Sequence, residues 1–185
     1  GRALAELAAA FPRSRFVGID ISEEAIDAAR RAARLRGLDN LAFELRDAAE
    51  LRDEARFDVV TAFDAIHEQA RPTAVLAAIA RALRPDGVFL MQDVAGTGQV
   101  HLDAGRPLAP FLYAVSCLHA LTVSLARGGE GLGAMWGEEA ARRMLCDAGF
   151  GDVVVNAFPH DDLHRYYVAR KCVSRSSLSR AVAAA

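Results

Sequence analysis

The chain has 185 residues, 52% hydrophobic and 25% charged, which suits one globular domain and excludes a chain disordered throughout or a collagen-like repeat. Its 22 basic and 24 acidic side chains leave a net charge of −2, so there is no electrostatic footprint for nucleic acid. Cys117, Cys146 and Cys172 are odd in number and widely spaced. They fit neither a zinc pattern nor a disulfide framework, and a cytoplasmic location is expected.

The chain opens Gly1-Arg2-Ala3-Leu4, without Met and without a basic stretch followed by an apolar one, so no signal peptide is expected. It reads as cut from a longer chain. Ala3 to Phe11 is rich in Ala and Leu and predicts a helix ending at Pro12. Arg15 to Ile19 predicts a strand closed by Asp20. Ser22 is a helix N-cap, followed by Glu23 and Glu24 at the positive end of the helix, and Gly37 is its C-cap. Leu41 to Leu45 is the next strand, followed by Asp47, and Phe57 to Phe63 is another. Pro72 opens a helix with Leu76, Ile79 and Leu83 on its apolar face. Arg84-Pro85-Asp86-Gly87 predicts a turn and Val88 to Met91 a buried strand.

Residues 96–136 interrupt this alternation as an insertion or lid. Pro107 to Ala126 carries no formal charge and is long enough to span a bilayer. Its prolines and its Ser116, His119, Thr122 and Ser124 argue instead for a buried or lid helix and no membrane. The glycines at 128–133 lack the Lys-Ser/Thr of a phosphate loop and suit a hinge. Gly137 to Ala148 predicts a helix, and Val153 to Val155 and Arg165 to Ala169 two closing strands. The expected domain is 1–170, with a flexible tail over 171–185.

At least four strand–helix alternations predict a doubly wound α/β fold with a mostly parallel sheet. Ligands of such sheets bind at the carboxyl ends of the strands, which nominates Asp20, Asp47 and the Phe63-Asp64-Ala65-Ile66-His67 segment. Asp20 stands where a Rossmann acid meets a ribose. Asp47 could accept an adenine amine. His67 could take a proton from an acceptor or only line the pocket. His160-Asp161-Asp162-Leu163-His164 has metal-ligand residue types but falls between two strands, where i, i+4 convergence is not available, so no metal is expected.

Gly1, Asp20, Asp47, Phe63-Asp64 and Leu83-Arg84-Pro85-Asp86-Gly87, in that order, resemble a class I S-adenosylmethionine-dependent methyltransferase. The resemblance implies a Rossmann-like sheet with an antiparallel last strand and S-adenosylmethionine as cofactor. It implies cofactor contacts from Gly1, Asp20, Ile21, Asp47 and Ala48, and further ones from Phe63 and Asp64. Only the last glycine of the family's loop is present, as Gly1, and the family's first strand is lacking. The chain alone is therefore expected to be unstable and unable to hold the cofactor. Ser116-Cys117-Leu118-His119 and Gly131 to Gly137 look similar to a bacterial subgroup with an upstream winged-helix domain. The implied activity is methyl transfer to a small-molecule acceptor, with His67 as the candidate catalytic residue, and the apolar character of residues 96–136 suggests that the acceptor is hydrophobic or aromatic. A ligand-sensing regulator and a nicotinamide-dependent oxidoreductase are the alternatives, and a homodimer stays open.

Overall fold

The computed structural model describes residues 1–171. The tail expected over 171–185 lies, beyond Lys171, outside the described residues. Two compact units divide the chain, Gly1–Leu51 and a second that begins at Arg52.

The first unit holds α1 (Arg2–Ala10), β1 (Phe16–Asp20), α2 (Glu23–Leu35), β2 (Leu41–Leu45) and a 3-10 turn over Ala48–Glu50. β1 and β2 pair in parallel from Phe16↔Leu41 to Asp20↔Leu45, so both strands end at one edge. This register follows from a crossover through α2. That helix starts where the Ser22 hydroxyl accepts the Ala25 N–H at 3.1 Å. It ends before Gly37, whose φ of +65° a residue with a side chain would resist. Ile26, Ala33 and Phe43 form the core, with Leu4, Ala29, Leu38 and Leu41 against it. Phe43 lies so close over β1 that a Cβ on Gly18 would stand 2.5 Å from its Cδ1. Asn40 ties the connection after α1, its amide donating to the Ala8 and Ser14 carbonyls at 3.0 Å each.

The second unit holds β3 (Phe57–Phe63), α3 (Pro72–Ala82), β4 (Leu83–Val94), α4 (Val100–Asp103), α5 (Ala109–Val115), α6 (Leu121–Ala126), α7 (Glu138–Asp147), β5 (Phe150–Phe158) and β6 (Asp161–Lys171). The sheet order is β3-β4-β6-β5. β3 and β4 are parallel, and β6 runs antiparallel to both its neighbours. The α/β class, the parallel pairs and the antiparallel closing strand are as the sequence predicts. Among the described residues the strands form two sheets, and β1 pairs only with β2 while β3 pairs only with β4.

Two details differ from expectation. Arg84 to Gly87 does not separate α3 from the strand. It bulges out within β4, where Phe57 pairs with Leu83 and Val59 already with Val88. One residue of β3 therefore faces four of β4. Asp161 to His164 is likewise not a loop but the start of β6.

From Phe89 onward β4 alternates strictly, and Phe89, Met91 and Asp93 are all buried on one face. Phe89 stacks on Phe150 at 5.7 Å between ring centroids, and Leu76, Leu145 and Tyr167 complete the core. An alternation that buries Phe89 and Met91 also buries Asp93.

The 96–136 segment departs most from the reading above. α5 and α6 are joined by a π turn over Ser116–Ala120 into one helix, Ala109–Ala126. Its mean hydropathy is 1.5, and by length and composition it could cross a membrane. It is mainly exposed rather than buried, and its fully buried residues, Ala109, Ser116, Ala120 and Ser124, are small, with Tyr113 and Leu121 half-buried beside them. Before it, buried Asp103 accepts from the Thr97 N–H and hydroxyl at 3.1 and 3.0 Å, the Tyr113 hydroxyl at 2.9 Å and Arg106 at 3.2 Å. Burial alone would raise the Asp103 carboxyl, and these donors hold it below its ordinary value. Tyr113 is pushed up to about 12 by burial and by its bond to Asp103.

Gly18→Ala should push Phe43 out of its place and cost about 1–3 kcal/mol in urea denaturation, the usual effect of overpacking. Phe43→Leu in the same chain should recover part of the loss. A Gly18→Ala protein as stable as the parent would contradict the packing described for β1.

Candidate functional site

In the first unit the carboxyl end of the strand pair carries Asp20, Ile21, Asp47 and Ala48. Asp20 is exposed, and its Oδ1 accepts the Ser22 N–H at 2.9 Å. The same residue thus steadies the start of α2 and offers Oδ2 outward. Ile21 follows, also exposed. The Arg46 N–H donates to the Asp20 carbonyl at 2.9 Å and carries the chain past this edge. Asp47 then caps the 3-10 turn, its Oδ1 accepting the Ala49 N–H at 2.8 Å, and Ala48 begins that turn. Gly1 stands at the N-terminus of α1, where a Cβ would meet the Ala29 methyl at 2.8 Å.

In the second unit β3 ends at Phe63, and Asp64 takes a left-handed conformation with φ +48°, rare and costly for a residue with a side chain. Its N–H still donates to the Gln92 carbonyl at 2.9 Å. The bend starts the connection that brings His67 back to the sheet. His67 is buried, and its Nδ1 lies 2.6 Å from Oδ1 of Asp93. With Asp93 ionised, Nδ1 carries the proton of this bond, which leaves Nε2 as the basic nitrogen. Burial presses the imidazolium down, but the Asp93 bond and charge, helped by Glu68 and Asp64, outweigh it, so His67 titrates above its ordinary value.

Asp64 receives the Gln92 amide at 2.9 Å and has His164 Nε2 at 3.3 Å, both on Oδ2. Burial raises its pKa, His164 and Gln92 oppose the rise and the Asp93 charge adds to it. His164 Nδ1 bonds Asp161 at 2.9 Å, and the Tyr166 hydroxyl donates to Asp161 at 2.6 Å. That hydroxyl bond above all brings Asp161 down to about 2. Asp161 and His164 therefore converge at a separation of three residues, a pairing that the sequence reading, concerned with i, i+4 spacing, does not address.

Donor atoms of Asp64, His67 and Asp93 all lie within 4.8 Å of one another, the residue types of a metal site. Two ligands at 2.0–2.1 Å on a tetrahedral ion stand roughly 3.3 Å apart. The 2.6 Å between His67 and Asp93 is a hydrogen bond and not a ligand pair. Asp93 Oδ2 and Asp64 Oδ1 are buried without a hydrogen-bond partner among the described residues.

The sequence reading named His67 and Asp64 and missed Asp93. The rule that nominated the others, an acid just past an apolar strand, applies to it equally, since Val88 to Met91 is followed by Gln92 and Asp93.

A family model described as a methyltransferase domain matches residues 1–123. The chain belongs to this family, the class I S-adenosylmethionine-dependent methyltransferases, whose cofactor is S-adenosylmethionine. Among solved structures it is similar to a candidate O-methyltransferase from Nostoc punctiforme, with 19% identity and a TM-score of 0.69, over 90% of this chain and 47% of that one. It is also similar to a protein from Methanosarcina mazei described among S-adenosylmethionine-dependent methyltransferases, with 20% identity and a TM-score of 0.62, over 91% and 86%. A third is the trans-methyltransferase CalH in complex with S-adenosylhomocysteine, with 22% identity and a TM-score of 0.60, over 85% and 43%. At these identities the likeness establishes the fold. The chain spans about half the length of the Nostoc protein and of CalH. A search of curated proteins finds no significant match.

Because the folded pKa of His67 lies above its unfolded value near 6.5, the pair stabilises the fold fully below that pH. The contribution is lost as pH rises through the folded value. Asp93→Asn should thus cost about 1.5–3 kcal/mol near pH 6 and clearly less near pH 9. Urea denaturation of both proteins at the two pH values checks this, and a difference independent of pH would contradict it.

Proposed function

We propose that the protein transfers the methyl group of S-adenosylmethionine to a proton-bearing small-molecule acceptor, with His67 as general base and Asp93 holding it in place. The observation that carries this is the buried His67–Asp93 bond of 2.6 Å at the ends of β3 and β4. The residues of the first unit fit the cofactor. Asp20 has an exposed carboxylate at a strand end and keeps one oxygen for the ribose hydroxyls, and Asp47 and Ala48 suit the adenine. Ile21 offers an apolar side chain at the same edge. When bound, S-adenosylmethionine supplies a methyl group already activated by its sulfonium.

The chain's own part is then alignment and proton transfer. Nε2 of His67 accepts the acceptor's proton, and Asp93 stabilises the imidazolium and fixes the ring. Asp64 lies near the same base, its own pKa raised by burial, and its charge adds to the pull of Asp93 on the His67 proton. An acceptor with an ionisable hydroxyl gains most from such a base, because a raised His67 pKa makes a stronger proton acceptor. The apolar character of residues 96–136 favours a hydrophobic or aromatic acceptor.

In the full-length protein, His67→Ala should lower kcat about 100-fold while cofactor affinity holds. Asp93→Asn should lower kcat less and move the acidic limb of the pH–rate profile to lower pH. Asp20→Ala should weaken S-adenosylmethionine binding by about 2–3 kcal/mol in calorimetry. A His67→Ala enzyme with parental kcat would show that alignment alone suffices. Unchanged cofactor affinity in Asp20→Ala would remove that residue from the site.

A further inference from the structure

The Ala109–Ala126 helix is amphipathic the wrong way round. Its fully buried side chains, Ala109, Ser116, Ala120 and Ser124, are small, Leu112, Tyr113, Leu121 and Val123 are half-buried, and a row of large apolar side chains faces outward. Leu118 is 80% exposed, Phe111 64% and Leu125 58%, with Leu108 and Val115 exposed beside them. Together with Thr122 these recur at 108, 111, 115, 118, 122 and 125. That alternation of three and four residues is the spacing by which one helix packs against another. Between Arg106 and Arg127 no side chain carries a formal charge.

The area is that of a patch which is often functional. The outward parts of these side chains come to on the order of 500 Å², the upper end of the largest apolar patch that monomers expose. Two such stripes facing one another bury about 1,000 Å² in total, the lower bound for a specific interface and the size of a weak, reversible pair.

A bilayer is a poor occupant. The inner face is bonded to the protein, Ser124 Oγ donating to the Gln69 carbonyl at 3.1 Å and accepting the Gly131 N–H at 3.1 Å. Asp103, Tyr113 and Arg106 anchor its start. A helix lying on a membrane surface carries Lys and Arg on its polar face, and this helix has none.

The stripe is complementary to itself. Turned about its midpoint near Ser116 and Cys117, it sets Val115 opposite Leu118, Leu108 opposite Leu125 and the bulky Phe111 opposite the small Thr122. A two-fold axis gives each of these contacts twice. We propose that this stripe is a self-docking surface through which two copies of the protein pair, helix antiparallel to helix, about an axis near Cys117.

The test uses the full-length protein at micromolar concentration in sedimentation equilibrium, with far-UV circular dichroism to check folding. The expected result is a dimer whose Kd rises about 30-fold or more in Leu118→Glu and in Phe111→Glu. The control Leu35→Glu, on an α2 residue that is 89% exposed, should leave the dimer unchanged. Should a stripe variant fail to fold, a short bis-maleimide added to the unsubstituted protein should link two copies through exposed Cys117. That link should vanish in Cys117→Ser and persist in Cys146→Ser. A monomeric parent protein, a dimer indifferent to both stripe substitutions, a cross-link that does not depend on Cys117, or sedimentation with phosphatidylcholine–phosphatidylserine vesicles would each overturn the proposal.

Discussion

The buried bond between His67 and Asp93 is the constraint on which the second unit is organised. Asp93 is 1% exposed, on the face of β4 that also buries Phe89 and Met91. A carboxylate there is costly unless a partner receives it. His67 is that partner, and its backbone must come back to the sheet immediately after β3 has ended. The left-handed conformation of Asp64 is where the chain makes that return. A strained residue beside an unsatisfied buried oxygen is an arrangement that packing alone would not favour, and it is the kind found at functional sites.

The same connection is also held by residues 124–130. The Glu130 N–H donates to the Ala70 carbonyl at 2.8 Å, and Ser124 reaches the carbonyl of Gln69. Gly129 lies against this stretch so closely that a Cβ would stand 2.5 Å from the Ala70 oxygen. The glycine-rich stretch is therefore a packed seam against the His67 connection, where the sequence suggested a hinge. The helix before it buries its small residues fully against the protein, and Leu118, Phe111 and Leu125 stay exposed.

Much of the fold was legible because its signals are local. Ser22, Gly37 and Pro72 punctuate helices by backbone chemistry that needs no tertiary context, and the strands between them are short apolar runs. The turn at Arg84 to Gly87 was misread because those residues suit a turn and a wide bulge equally. Only the pairing of Phe57 with Leu83 keeps them inside β4. The orientation of the Ala109–Ala126 helix was not legible, since an apolar sequence gives no clue that its larger residues face out. In each unit the acids that position nominates, Asp20 and Asp47 in the first and Asp64 in the second, stand at strand ends. Asp93 was missed although position nominates it, and its pairing with His67 across 26 residues depends on the sheet register.

The central claim is that Asp93 fixes His67 as a base with Nδ1 protonated and Nε2 free. Two-dimensional NMR of the full-length protein with 15N-labelled histidine reads this directly, with Asp93→Asn assigning the affected ring. The account predicts a neutral His67 in the Nδ1–H tautomer and a pKa above 6.5 that falls in the variant. A ring protonated on Nε2, or a pKa at or below 6.5 that ignores the loss of Asp93, would contradict it.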